Sequence, residues 1–293
     1  MRELCVLLGY TSQAYYQYEK GSSKRQLQEE LLIEQVMIHR RLQPRLGTRK
    51  LLVMMEPFMQ AHNMPIGRDR FFELLRDSGL LIRKRRWRVR TTFSAHRFRI
   101  YADLTKELVI SGPGQLWVSD ITYVRLTGGF AYLSLVTDAY SRKIIGFFVS
   151  HDLSTGSTLK ALQMAIKANM PVNGRLIHHS DRGSQYCSRA YTKLLKKNGI
   201  AISMTQDGNP RDNAIAERVN GILKQELLSK SYTNINRLRQ AVKSAVDVYN
   251  HTRPHASIEM MTPGQAHQRT GNLQRKWRNY YRKQQQKEVI MDG

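Results

Sequence analysis

The chain has 293 residues, 41% of them hydrophobic, and sets 47 Lys and Arg against 23 Asp and Glu for a formal charge of +24. Two cysteines in unrelated contexts, Cys5 and Cys187, exclude a disulfide framework and a cysteine-rich zinc module, and point to a reducing compartment. No apolar run approaches the roughly 18 residues of a membrane helix and no signal-peptide core opens the chain, so the expectation is a soluble, cytoplasmic protein, nucleoid-associated if it is bacterial, whose basic field suits a phosphate backbone.

Residues 1–25 read as a short helix, a turn at Gly9 and a second helix capped by Thr11 or Ser12, a small helix-turn-helix-like segment. Leu27, Leu31, Ile38 and Leu42 then predict an amphipathic helix over Gln26–Leu42. Gly47–Met55 and Asp69–Arg76 read as two more helices, with Asn63-Met-Pro-Ile-Gly as the turn between them and Ser78-Gly79 as the stop. Pro57 is expected to interrupt the first of these. Residues 26–82 are thus expected to form an all-α DNA-binding domain of helix-turn-helix character.

A basic linker is expected over 83–110, carrying Arg83, Lys84, Arg85, Arg86, Arg88 and Arg90 around Trp87, with Phe93 and Phe98 close by. A solvated spacer is one reading of such a run; the interleaved aromatics favour phosphate contact with some base stacking. From Gln115 the periodicity changes. Leu116–Arg125, Phe130–Asp138 and Lys143–Val149 are rich in β-branched and aromatic residues and are split by Thr127-Gly-Gly and Tyr140-Ser-Arg, which predicts an antiparallel meander. A helix over Thr155–Asn169, a strand over Leu176–Ser180, a helix over Arg189–Asn198, a strand over Ile200–Met204 and a helix over Ala214–Lys230 follow. Strands first, then alternating helix and strand, make an α/β core with a mixed sheet flanked by helices over 111–232. Residues 233–293 read as a helical, basic C-terminal extension.

Three acids stand out in this order of elements. Asp120 falls mid-strand in Trp117-Val-Ser-Asp-Ile-Thr-Tyr, Asp181 ends a strand in His179-Ser-Asp-Arg-Gly, and Glu217 opens a helix in Asp212-Asn-Ala-Ile-Ala-Glu-Arg. Thirty-five residues, 182–216, separate the last two, and Lys224 follows the glutamate at i+7. Each has an ordinary role open to it, as turn cap, Asx acceptor or helix-dipole partner. All three converging in so basic a chain would require a cation, and oxygen-only ligands suit Mg²⁺ or Mn²⁺, one or two ions. Asp138, Asp152, Asp207 and Asp212 are other carboxylates near the core, of which Asp138 and Asp207 read as turn residues and Asp212 as a cap; Trp117 reads as packing, and the adjacent His178 and His179 as one core and one site-lining residue on opposite faces. Lys224, Arg182, Arg218, Asn213 and Gln185 flank the acids and are candidate DNA contacts, with Tyr186 beside them as a residue able to approach the bases.

The strings Trp117-Val-Ser-Asp-Ile-Thr-Tyr-Val, His178-His-Ser-Asp-Arg-Gly-Ser-Gln-Tyr, Gly208-Asn-Pro-Arg-Asp-Asn-Ala-Ile-Ala-Glu with Lys224, and Tyr249-Asn-His-Thr-Arg-Pro-His followed by Thr262-Pro-Gly-Gln-Ala together carry a resemblance. Over about residues 30–268 the chain resembles the OrfB transposases of the insertion-sequence-three group, whose catalytic core is similar to that of retroviral integrases. The resemblance implies an RNase H-like fold and DDE chemistry with Asp120, Asp181 and Glu217 as catalytic metal ligands. It also implies cleavage of element ends, 3′-OH strand transfer through a figure-eight to a circular element, action on terminal inverted repeats and target DNA as a homo-oligomer, and an upstream-frame protein as fusion or partner. No His/His/Cys/Cys set of the retroviral kind occurs near the N-terminus. Two other functions stay open: a catalytically inactive regulator that occupies element ends, and a nuclease of the RNase H type.

Overall fold

A computed structural model of the chain describes residues 2–82, 98–171, 175–206 and 213–274. These divide into two compact units, 1–84 and 85–293. In the first unit α1 (Arg2–Leu7) leads to α2 (Ser12–Leu42), whose first turn is capped by the Thr11 hydroxyl accepting from the Ala14 amide at 3.1 Å. The expected boundary at residue 25 is not there, because one helix runs unbroken from Ser12 and the stretch expected to start at Gln26 is its second half. α3 (Thr48–Ala61) and α4 (Arg68–Asp77) complete the unit, and Leu32, Val36, Leu51, Met55, Phe71 and Leu75 form its core. Pro57 does not end α3. Leu51, Met55 and Met59 repeat at i+4 and are all buried, and that packing offsets the hydrogen bond the proline cannot make.

The second unit is built on a six-stranded sheet. β1 (Leu116–Leu126), β2 (Gly129–Asp138) and β3 (Ile144–Ser150) form the antiparallel meander. α5 (Thr155–Asn169) crosses over to β4 (Ile177–Ser180), which pairs parallel with β1. α6 (Ser184–Cys187) and α7 (Arg189–Lys197) lead to β5 (Ala201–Met204), parallel to β4, and the order across the sheet is β3-β2-β1-β4-β5. That mixed order, with helices on both faces, is an RNase H-like fold, in agreement with the expectation from sequence.

α5 and α7 cover one face, where Trp117, Val136, Ala161, Leu162, Tyr191 and Leu195 pack together. The other face takes α8 (Ala214–Ile222), a π-turn (Leu223–Leu227) and α9 (Ile235–His251), with Leu133, Leu135, Val219, Leu223, Leu238, Val242 and Tyr249 among the buried residues. The helix expected to run to Lys230 therefore ends in a π-turn, and α9 is a flanking helix of the core rather than part of an extension. The two-residue β6 (Ser231–Tyr232) pairs with the far end of β1. A 3₁₀ turn (Ala256–Ile258) and α10 (Pro263–Ala266), which opens on a capping box from Thr262 and Gln265, follow α9.

Gly146 on β3 lies directly under α5. A Cβ there would run into the Ala161 carbonyl oxygen and stand 3.0 Å from the Ala165 Cβ. Gly146→Ala is therefore expected to cost about 1–3 kcal/mol through forced separation of helix and strand, read as a fall in the urea midpoint at unchanged m-value.

Candidate active site

Strand alternation places Asp120 on the β1 face that also carries Val118 and Val124, the face covered by α8. The register between β1 and β4 pairs Leu116 with Ile177, Trp117 with His178 and Val118 with His179. Two further steps along it bring Asp120 level with Asp181, one residue beyond the end of β4. Glu217 stands in the first turn of α8, exposed, above the same strands. Three elements of different type thus deliver one carboxylate each.

The local hydrogen bonds hold two of them. Asp120 Oδ2 accepts from Asn220 Nδ2 at 2.7 Å and Oδ1 from the Ile121 amide at 2.8 Å. Asp181 Oδ1 accepts from the Gly183 amide at 2.9 Å, an Asx turn that aims the carboxylate along the strand end. Asn220 is an unanticipated member of the site. Its i+3 spacing from Glu217 was the available signal, since i+3 residues share a helix face. Its side-chain oxygen is buried without a hydrogen-bond partner.

Electrostatics tie the three acids together. Burial, then the charge of Asp181, and last that of Glu217 push the Asp120 carboxyl up to about 7, against the lowering effect of the Asn220 and Ile121 hydrogen bonds. Glu217 is raised too, by partial burial and by Asp181. Lys224 lies within 4.0 Å of the Tyr123 ring centroid; desolvation lowers its pKa while the charge of Asp120 raises it. Among the described residues no three His, Cys, Asp or Glu side chains already stand as a closed metal cage. The donor chemistry nonetheless fits a hard divalent cation: the set is all oxygen, and burial together with the charge of Asp181 raises both Asp120 and Glu217.

The other expected site residues divide sharply. Arg218 is exposed on α8, and Lys224 is half-buried beside Asp120. Arg182 donates from Nε to the Thr205 carbonyl at 2.7 Å, and Gln185 from Nε2 to the Leu153 carbonyl at 3.0 Å. Asn213 does not face outward as a DNA contact would: it is 6% exposed and donates to the Ser119 carbonyl at 2.9 Å, tying the start of α8 to β1. Tyr186, expected to approach the bases, is 2% exposed and packs against the rings of His178 and Tyr191. Arg83, Lys84, Arg85, Arg86, Arg88 and Arg90 lie outside the described residues, as do Asp207 and Asp212. Asp138 is a fully buried turn acceptor, taking hydrogen bonds from the amides of Gly114 and Ser141.

His178 and His179 point to opposite faces, and both are buried, so neither lines the site. His178 Nε2 lies 2.7 Å from Ser119 Oγ and 3.0 Å from Tyr191 Oη, and His179 Nδ1 lies 2.8 Å from Ser203 Oγ. Burial, with a smaller contribution from His179, pulls His178 down to about 3. Between pH 6.5 and 3 the unfolded chain takes up a proton that the folded one refuses, so stability supported by this residue falls as the pH drops through that window. Taking the pH from 7 to 4 should cost about 3 kcal/mol through His178. His178→Gln, which cannot be protonated, should lose correspondingly less over the same interval in urea unfolding.

A mixed sheet of this order with helices on both faces defines an RNase H-like core. Two models described as "Integrase core domain" match residues 111–210 and 198–263. An uncharacterized 31 kDa protein of insertion element IS600 from Shigella sonnei is 31% identical over 265 residues, covering 89% of this chain and 96% of that protein. The transposase InsF of insertion sequence IS3A from Escherichia coli K12 is 32% identical over 211 residues, 71% of this chain and 73% of that one. The magnesium-bound catalytic core domain of HTLV-2 integrase superposes with a TM-score of 0.42 at 19% identity, over 53% of this chain and 97% of that one. The chain belongs to the insertion-sequence transposases with an integrase core.

Proposed function

We infer that Asp120, Asp181 and Glu217 are the catalytic acids of a DDE transposase that cuts the ends of its own element and joins the freed 3′-OH to a second phosphodiester. The observation that carries this is the placement of the three acids: the β1–β4 register brings Asp120 level with Asp181, and burial together with the charges of Asp181 and Glu217 pushes the Asp120 carboxyl up to about 7. Divalent ions, Mg²⁺ or Mn²⁺, held by the three acids would supply charge neutralisation and activation of the attacking oxygen. Asp120 is held ready by Asn220, and Asp181 by the Gly183 amide. Glu217, exposed at a helix start, has the rotamer freedom to join them.

In the first step the water oxygen attacks the phosphorus at the element end and the bridging 3′ oxygen leaves as the hydroxyl. In the second that hydroxyl attacks a target phosphodiester in line and displaces its 3′ oxygen. No protein side chain forms a bond to phosphorus in either step. Lys224 and Arg218 line the approach as phosphate contacts. The first unit, with the basic linker, reads the terminal repeats, and pairing of two ends requires at least two copies of the chain.

The test offers labelled element-end and scrambled duplexes to the wild-type protein with Mg²⁺. Cleavage at the end followed by joining to a second duplex supports the reading. Cutting without end preference or joining would indicate the nuclease, and tight binding without any cutting would indicate the regulator.

A further inference from the structure

The motif Tyr249-Asn-His-Thr-Arg-Pro-His contains a residue that sequence alone would leave on the surface as one more cation. Arg253 is 1% exposed, among the largest fully buried side chains in the described structure. Its Nη2 and Nε both donate to Glu226 Oε2, at 2.7 and 3.0 Å, and its Nη1 lies 3.0 Å from His255 Nε2. The His255 ring in turn stands edge-on to Tyr249 at a centroid separation of 4.7 Å. α9 packs on the sheet from Ile235 to Tyr249, and Asn250 anchors its end there: Nδ2 donates to the Ile144 carbonyl and Oδ1 accepts from the Ile144 amide, each at 2.9 Å.

Glu226 belongs to the π-turn that continues α8. Glu217 and Lys224 both interact with the charge of Asp120, while Glu226 is turned to Arg253. A π-turn carries one more residue than the α-helical turn it replaces, so it changes the phase of what lies beyond its start, and such turns are rare and frequent at functional sites. Here a salt bridge from the buried Arg253 to the partly exposed Glu226 ties the turn to a segment anchored on β3. Buried pairs contribute little net stability compared with apolar replacements, which leaves orientation as the property this one adds.

We propose that Arg253, through Glu226, is a positioning residue that sets the axial rotation of α8 and its π-turn and so aims Glu217 and Lys224 at Asp120 and Asp181. The proposal rests on the assignment of those acids as the catalytic set. Removing one partner would leave an uncompensated buried charge, so the informative variant replaces both: Arg253→Met with Glu226→Leu, beside Glu226→Gln alone and an Asp120→Asn control. The double variant is expected to unfold in urea near the wild-type midpoint yet cleave element-end duplexes about 100-fold more slowly, the scale of a misplacement of about 1 Å in the reacting groups. Followed without DNA as the rise in melting temperature on Mg²⁺ titration, it should need about ten-fold more Mg²⁺ than wild type, as supporting residues behind metal ligands do.

A stable double variant with wild-type cleavage and Mg²⁺ requirement overturns the proposal. If the double variant does not fold, Glu226→Gln is read by the same two measurements, and failure of both variants to fold shows the pair to be merely structural and equally overturns it. Cleavage by Asp120→Asn at the wild-type rate would instead remove the catalytic assignment on which the proposal rests.

Discussion

Asp120→Asn, Asp181→Asn and Glu217→Gln should each lower strand cleavage and joining by at least about 10³-fold, equivalent to about 4 kcal/mol of lost transition-state stabilisation. Each amide preserves shape and removes the negative charge that a divalent ion requires. Asp120 and Asp181 are fixed by hydrogen bonds to Asn220 and Gly183, so their loss cannot be made good by movement of a neighbour. Asn213, Asp138 and Asp152 are no substitutes: the first is a strut to Ser119, and the other two are occupied in turns of their own. Affinity for element-end DNA, measured by anisotropy, should stay within a few-fold because phosphate contacts come from the basic residues. Three variants that cut at wild-type rates on a denaturing gel would remove these acids from the chemistry.

The second large effect runs in the opposite direction. An Asp120 carboxyl pushed up to about 7 keeps a proton in the folded protein that the unfolded chain surrenders near the ordinary aspartate value of 3.8. Stability from this group is therefore fully present below pH 3.8 and is lost as the pH rises through 7. Three units at about 1.36 kcal/mol each set an upper bound of about 4 kcal/mol, reduced in practice because Asp120 is partly exposed. Metal-free Asp120→Asn at pH 8 is thus expected to be more stable than wild type by about 2–4 kcal/mol in urea unfolding, with the gap closing by pH 4. Saturating Mg²⁺ should stabilise the wild type and not the variant, narrowing the difference at pH 8. An Asp120→Asn protein no more stable than wild type at pH 8 without metal would show that burial and the neighbouring acids do not raise the Asp120 carboxyl. The pairing of inactivity with added stability separates a site under electrostatic strain from an ordinary damaging substitution.

Much of this site was legible in the chain because its chemistry is local. Asp120, Asp181 and Glu217 each sit at a recognisable place in a strand, a strand end and a helix start, and β-branched and aromatic runs with glycine turns marked the meander. What stayed hidden depends on tertiary packing. Pro57 reads as a helix breaker until Met55 and Met59 are seen buried on either side of it. Asn213 and Tyr186 look like polar groups poised for DNA until the first is found bonded to a β1 carbonyl and the second packed among aromatic rings. Arg253 carries the largest difference, since nothing in a basic chain distinguishes an interior guanidinium from a surface one except the carboxylate that meets it 27 positions away. Helix α9 was expected to be helical but not to form the floor of the sheet, because amphipathicity states that a face is buried and not what buries it.

The most direct measurement of the central claim is anomalous diffraction from crystals of the wild-type protein soaked in Mn²⁺. The account predicts a peak bounded by carboxylate oxygens of Asp120, Asp181 and Glu217, and no such peak in crystals of Asp120→Asn treated alike. Manganese bound elsewhere with these three acids unliganded, or an identical peak in the variant, would contradict it.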